Sequence, residues 1–199
     1  MKKQVIVLHG GRTFKTYREY KHSLLSRKLT ADNFKVKADW RSSLNQKLGK
    51  HFEVFVPKMP NPNNAVYEEW KIWFERMHPF LHHNVILVGH SLGGIFLAKY
   101  LSETTYKKKI KAVILVAAPF EDCTDEPLGD FIIPKSMKKF SHQAKNIYIV
   151  HSKDDPIVPF TETKKYKKAL LNATIISFHK KQHFNQEFFP EIVKLIKEL

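Results

Sequence analysis

The sequence predicts an α/β domain of three layers, α/β/α, built on a six-stranded, mostly parallel sheet. Three observations predict it. Six short β-rich runs recur along most of the chain, and helical patterns fill the segments between them. Most of the runs are apolar at consecutive positions, as strands covered on both faces must be. Strand, helix and strand in alternation is the pattern of a parallel sheet with right-handed crossovers.

The elements follow in order. Val5–Leu8 is the first strand; at four apolar residues it is well short of the ~7–15-residue core of a signal peptide, and no small-residue cleavage site follows. Residues 12–51 are longer than one crossover needs and read as helix around Tyr17–Leu29 and again around Ser42–Leu48, joined by the polar TADNFKVKAD. Strands follow at Glu53–Val56, Val85–Val88, Ala112–Val116, Ile147–Val150 and Thr174–Phe178, with helices at 65–80, 92–103, 161–171 and 187–198. Thr161 is placed to cap the third of these helices. Residues 120–145 form a second long connection, carrying Pro127, Pro134 and the apolar triplet Phe131-Ile132-Ile133. Connections this long in a compact domain are functional or locally helical. There is no internal repeat and no low-complexity tract. The expectation is one domain over residues 1–199, with a basic insertion at about 12–50 and a short lid-like loop at about 120–145.

Composition narrows the function classes. A hydrophobic share of 43% in 199 residues supplies a sizeable core and argues against disorder. No apolar run approaches the ~20 residues that cross a bilayer. The lone cysteine, Cys123, excludes an intramolecular disulfide and a cysteine-built metal site, and fits a reducing, cytoplasmic compartment. The formal charge of +15 could mean an anionic partner, but the lysines are scattered in pairs and triplets with no aromatic-interleaved stripe. A nucleic-acid role is therefore not expected; solvated faces account for the charge.

The chemistry lies at VILVGHSLGG. Gly89-His90-Ser91-Leu92-Gly93 is a G-x-S-x-G placed where a buried strand should stop and a helix begin. On such a turn the serine hydroxyl stands above the sheet edge, and small neighbours let strand and helix approach closely. A serine needs a base, and the base an orienting acid. Asp154 and Asp155, in HSKDDPIVP after the fifth strand, both qualify as the acid, one of them serving the turn before Pro156. Among eleven histidines, His51, His82 and His83 precede strands and belong at the wrong end of the sheet, and His90 is expected to pack rather than react. His179 and His183 follow the sixth strand, and His183 lies in the loop before the last helix, free to reach back over the sheet edge. The oxyanion donors expected are the backbone amides of Leu92 and of Gly11, with Arg12 the alternative to Gly11. The HGGR loop lacks the spacing of a phosphate-binding loop.

In order and spacing, LHGG, PKMPNP, GHSLGG, HSKDDPIVP and QHF resemble the small serine hydrolases that include retinoblastoma-binding protein 9 and bacterial YdeN, a family of minimal α/β-hydrolases. The resemblance covers residues 4–11 and 50–199. It implies Ser91 as nucleophile, the second aspartate, Asp155, as acid and His183 as base, with esterase-like or peptidase-like activity. The chain departs from the family over residues 12–49, where ten Lys and Arg stand against Glu19, Asp32 and Asp39. The expected reaction is hydrolysis of a small-molecule ester, in preference to an amide, without metal or organic cofactor. The rival is a binding protein on a hydrolase scaffold, docking an acidic protein partner on the basic insertion. Phe131, Ile132 and Ile133 are expected to wall the acyl pocket, the alternative being that they fill core beneath their loop.

Overall fold

The computed structural model describes residues 1–35, 37–122 and 127–199. Its strands are β1 (Lys3–Leu8), β2 (Phe52–Phe55), β3 (Val85–His90), β4 (Ile110–Val116), β5 (Ala144–Ser152) and β6 (Thr174–Phe178). They form one sheet in the order β2-β1-β3-β4-β5-β6, and every neighbouring pair is parallel. The helices are α1 (Tyr17–Ser26), α2 (Trp40–Leu48), α3 (Tyr67–Met77), α4 (Leu92–Glu103), α5 (Lys138–Gln143), α6 (Glu162–Ala169) and α7 (Pro190–Glu198).

The consecutive apolar residues of the strands feed two cores. Ile6, Leu8, Leu87, Val113, Leu115 and Ile149 point to one face, where α3, α4 and α6 contribute Trp70, Phe74, Phe96 and Tyr166. Val5, Val7, Ile86, Val88, Ile114 and Val116 point to the other, where α2 and α7 contribute Trp40, Leu44, Leu48, Ile192 and Ile196. Side chains alternate along a strand, so a strand covered on both sides must be apolar at every position.

Helix α2 shows how the connection between β1 and β2 is tied to the sheet. Asp39 caps it by accepting hydrogen bonds from the amides of Arg41 (2.8 Å) and Ser42 (3.3 Å). Trp40, Leu44 and Leu48, four residues apart, form its buried stripe, each side chain stabilising the fold by roughly 1.5–3 kcal/mol. It ends at Gly49, whose φ of 84° suits a residue without Cβ. Helix α1, by contrast, buries no residue and lies on the surface.

The long connection after β4 is locally helical. It holds a turn of 3₁₀ helix at Gly129–Phe131 and the six-residue α5, too short for periodicity to reveal. Thr161 occupies the cap position of α6, but its side chain makes no capping bond. The buried carboxylate of Glu162 works beside it instead, accepting from the amides of Phe120 (2.9 Å) and Glu121 (3.2 Å). Cys123 lies outside the described residues.

The strand order also locates the site. The chain leaves β1 for β2 on one side and then crosses to β3 on the other, so the connections after β1 and β3 run apart from adjacent strand ends. Ligands of open α/β sheets bind in the crevice at such a switch point. Among the described residues no helix is long and apolar enough to cross a membrane.

Candidate active site

Ser91 stands at the end of β3 with φ 54° and ψ −120°, a left-handed conformation that a serine adopts at a cost of roughly 1–3 kcal/mol. The glycines explain how the turn closes. A Cβ on Gly89 would lie 2.3 Å from the Gly93 carbonyl oxygen, and one on Gly93 would lie 2.6 Å from the Leu8 oxygen. The Ser91 amide donates to Val116 O (2.8 Å), and its carbonyl accepts from Gly94 (2.8 Å) and Ile95 (3.3 Å). The Leu92 amide belongs to the first turn of α4, where amides lack intrahelical acceptors and the helix dipole favours negative charge.

Asp155 and His183 meet beyond the ends of β5 and β6. The His183 Nδ1 lies 2.9 Å from Asp155 Oδ2 and 3.1 Å from Oδ1. The Asp155 side chain is fully buried, and its Oδ1 also accepts from the amides of Ile157 (2.8 Å) and Val158 (3.0 Å). These donors orient the carboxylate, and its contact with the ring fixes the partner histidine as the Nδ1–H tautomer. Asp154 is exposed and faces away. It accepts from the Ser152 hydroxyl and from the amide of Gln182 (3.1 Å), and the Ser152 bond holds its carboxyl below the usual carboxylate range. Asp154 thus pins the start of the histidine loop, while Asp155 contacts the ring.

The loop after β1 passes directly beside the serine, since a Cβ on Gly10 would lie 3.1 Å from Ser91 Cβ. The Arg12 amide is committed to Pro62 O (2.8 Å), which leaves Gly11 as the candidate donor in this loop. His9 anchors it: Nε2 accepts from the Met59 amide (2.9 Å) and Nδ1 donates to Gly10 O (2.6 Å), the bonding of a neutral ring. Burial accordingly lowers its pKa.

Two spaces open from Ser91. One is a cleft of about 500 Å³ that also borders His183, Arg12 and Arg27. The other is a recess of about 30 Å³ bordered by Leu92, Pro119, Leu128 and Val158. The expected pocket triplet borders neither. Phe131 is fully buried, with its ring against Trp70, Tyr67 and Phe96; Ile133 packs onto the same core and Ile132 is exposed. Phe131 and Ile133, but not Ile132, fill core beneath the loop because the 3₁₀ turn directs Phe131 inward between α3 and α4, and Leu128, three residues earlier, borders the recess instead.

Residues 34–194 match the family model described as serine hydrolase. The chain belongs to the serine hydrolase family. It is 31% identical over 170 residues to the putative hydrolase YdeN of Bacillus subtilis, covering 82% of this chain and 77% of that one. It is 30% identical over 153 residues to the serine hydrolase RBBP9 of Rattus norvegicus, covering 74% of this chain and 78% of that one. The crystal structure of the B. subtilis ydeN product superposes with a TM-score of 0.73 at 24% identity, over 99% of this chain and 98% of that one.

Some residues of this serine hydrolase that shape the site were not legible in its sequence. His90 is a packed residue, as expected, but it also donates from Nε2 to the His183 carbonyl (2.7 Å). Trp40 reaches the same loop from the start of α2. His151 donates to Val158 O (2.8 Å) and stands 3.5 Å from Asp155 Oδ2, behind the carboxylate. Its position at the end of β5, four residues before Asp155, was the available signal.

Proposed function

We propose that this serine hydrolase cleaves an ester, in preference to an amide, through a Ser91–His183–Asp155 triad and an acyl-enzyme. The observation that supports this most is the two-oxygen contact of Asp155 with His183 Nδ1, beside a serine held left-handed at a strand-to-helix turn. As Ser91 Oγ bonds to the carbonyl carbon, His183 Nε2 takes its proton, and Asp155 stabilises the imidazolium. The negative oxygen of the tetrahedral intermediate lies against the Gly11 and Leu92 amides. The bond to the leaving oxygen then breaks as His183 returns the proton to it, and water repeats the sequence on the acyl-enzyme.

The geometry of proton return divides the substrate between the two spaces. A leaving group must touch His183, so it occupies the large cleft, and the acyl group lies on the Leu92 side. That recess is far smaller than the cleft, about 30 Å³ against about 500 Å³, and at its edge the Thr13 hydroxyl donates to Pro127 O. Short acyl groups fit it. Nitrophenyl acetate should therefore be turned over faster than nitrophenyl hexanoate, and Ser91→Ala should abolish both activities. Undiminished turnover by Ser91→Ala would remove the triad from consideration.

A further inference from the structure

The triad does not account for α2, the helix before β2, which touches the loop that carries the base. His183 lies between Gln182 (φ 46°) and Phe184 (φ 54°), both left-handed and neither a glycine. Each costs roughly 1–3 kcal/mol and persists only where surrounding structure imposes it. The imposing contacts come from the start of α2 and from His90. The His183 carbonyl accepts from His90 Nε2 at 2.7 Å, and the Phe184 carbonyl from Trp40 Nε1 at 2.9 Å. The Gln186 carbonyl accepts from the Trp40 amide at 3.1 Å.

The donor on His90 is itself fixed. Arg41 Nη1 lies 3.4 Å from His90 Nδ1, and a guanidinium can only donate, so Nδ1 accepts and the proton sits on Nε2. Arg41 is held in turn by Asp39, the cap of α2, with Nε 3.0 Å from Oδ2. Burial keeps the His90 ring neutral, as this arrangement requires. Trp40, His90 and His183 are exposed by only 2%, 3% and 6%, so water does not compete for these bonds.

We propose that Trp40, together with Arg41 acting through His90, is a clamp that positions the catalytic base, holding the His183 loop in the strained form that turns the ring to Asp155. The proposal rests on the triad reading above. Through this clamp α2 buttresses the active site from the face opposite α4. Arg41 and His90 border the cleft that receives the leaving group, whereas Trp40 does not, so Trp40→Phe is the variant that isolates positioning.

Trp40→Phe tests it, because it deletes the Nε1 donor while keeping a ring against His90 and Phe189. A misplacement of ~1 Å can cost ~100-fold, so kcat on nitrophenyl acetate should fall ~10–100-fold with KM nearly unchanged. The same substitution made in a His183→Gln background should leave the residual rate unchanged, since there is then no base to position. Arg41→Gln, at a half-buried site that borders the cleft, should give a smaller loss of kcat, and its dependence on His183 in the same cycle decides the matter should Trp40→Phe fail to fold. Unchanged kcat in the single variants, or an equal loss with and without His183, would overturn the clamp. Full activity in His183→Gln alone would remove the triad reading, and the clamp with it.

Discussion

Replacing Phe131 with alanine separates two roles for the connection after β4. The side chain is fully buried, and its ring meets Trp70 and Tyr67 edge-on at centroid distances of 5.4 and 5.7 Å. Truncation leaves a cavity among rings fixed by α3 and α4, and such Phe→Ala changes cost about 3–5 kcal/mol. In a chain of this length each kcal/mol lowers Tm by about 2–4 °C, so a fall of roughly 6–20 °C is expected. The assay is a thermal melt by circular dichroism, paired with the ratio of kcat/KM on acetyl and hexanoyl nitrophenyl esters. The structure predicts a large fall in Tm with the ratio unchanged, because Phe131 borders neither space beside Ser91. A preserved Tm with an altered ratio would place the ring in the acyl pocket and refute the packing argument.

Asp155→Asn should lower kcat by ~10⁴-fold, as expected when the acid that sets the histidine tautomer is neutralised, while Asp154→Asn loses far less; steady-state kinetics of the two variants decide, and equal losses would overturn the assignment. Acid should destabilise the protein through His90, whose pKa burial holds at about 3. Since the folded value lies below the unfolded one of ~6.5, this contribution is complete above pH ~6.5 and is lost toward pH 3 at about 1.4 kcal/mol per unit. Urea midpoints at pH 7 and pH 5 should therefore converge in His90→Gln relative to the parent, and identical slopes would contradict a buried neutral ring. Gly93→Ala should lower both Tm and activity, because the new Cβ would meet the Leu8 and His9 carbonyls at 2.6 and 2.7 Å, backbone that cannot swing aside; a parent-like melt would show that the elbow is looser than described.

Strands and the elbow were legible because their signals are local. Runs such as VILV and AVILV announce strands buried on both faces, and G-x-S-x-G at the end of one fixes the site of Ser91. The parallel order of the sheet follows from the alternation of elements. What the sequence could not supply was direction. The triplet Phe131-Ile132-Ile133 has the composition of a pocket wall and of core alike, and only the 3₁₀ turn sends Phe131 inward. Likewise Asp154 and Asp155 are indistinguishable by composition; the backbone turns one carboxylate to His183 and leaves the other against Ser152 and Gln182. Trp40 and His90 read as a helix start and a motif filler, because their partners are carbonyls 93 to 144 residues away. Such bonds leave no periodic trace.

Covalent labelling tests the central claim most directly. An activated serine should react with a fluorophosphonate, forming a bond from Ser91 Oγ to phosphorus with loss of fluoride. Intact mass and peptide mapping should show one adduct per chain, on Ser91, absent in Ser91→Ala and strongly slowed in His183→Gln. An adduct on another residue, or labelling of Ser91 at the same rate without His183, would contradict the account.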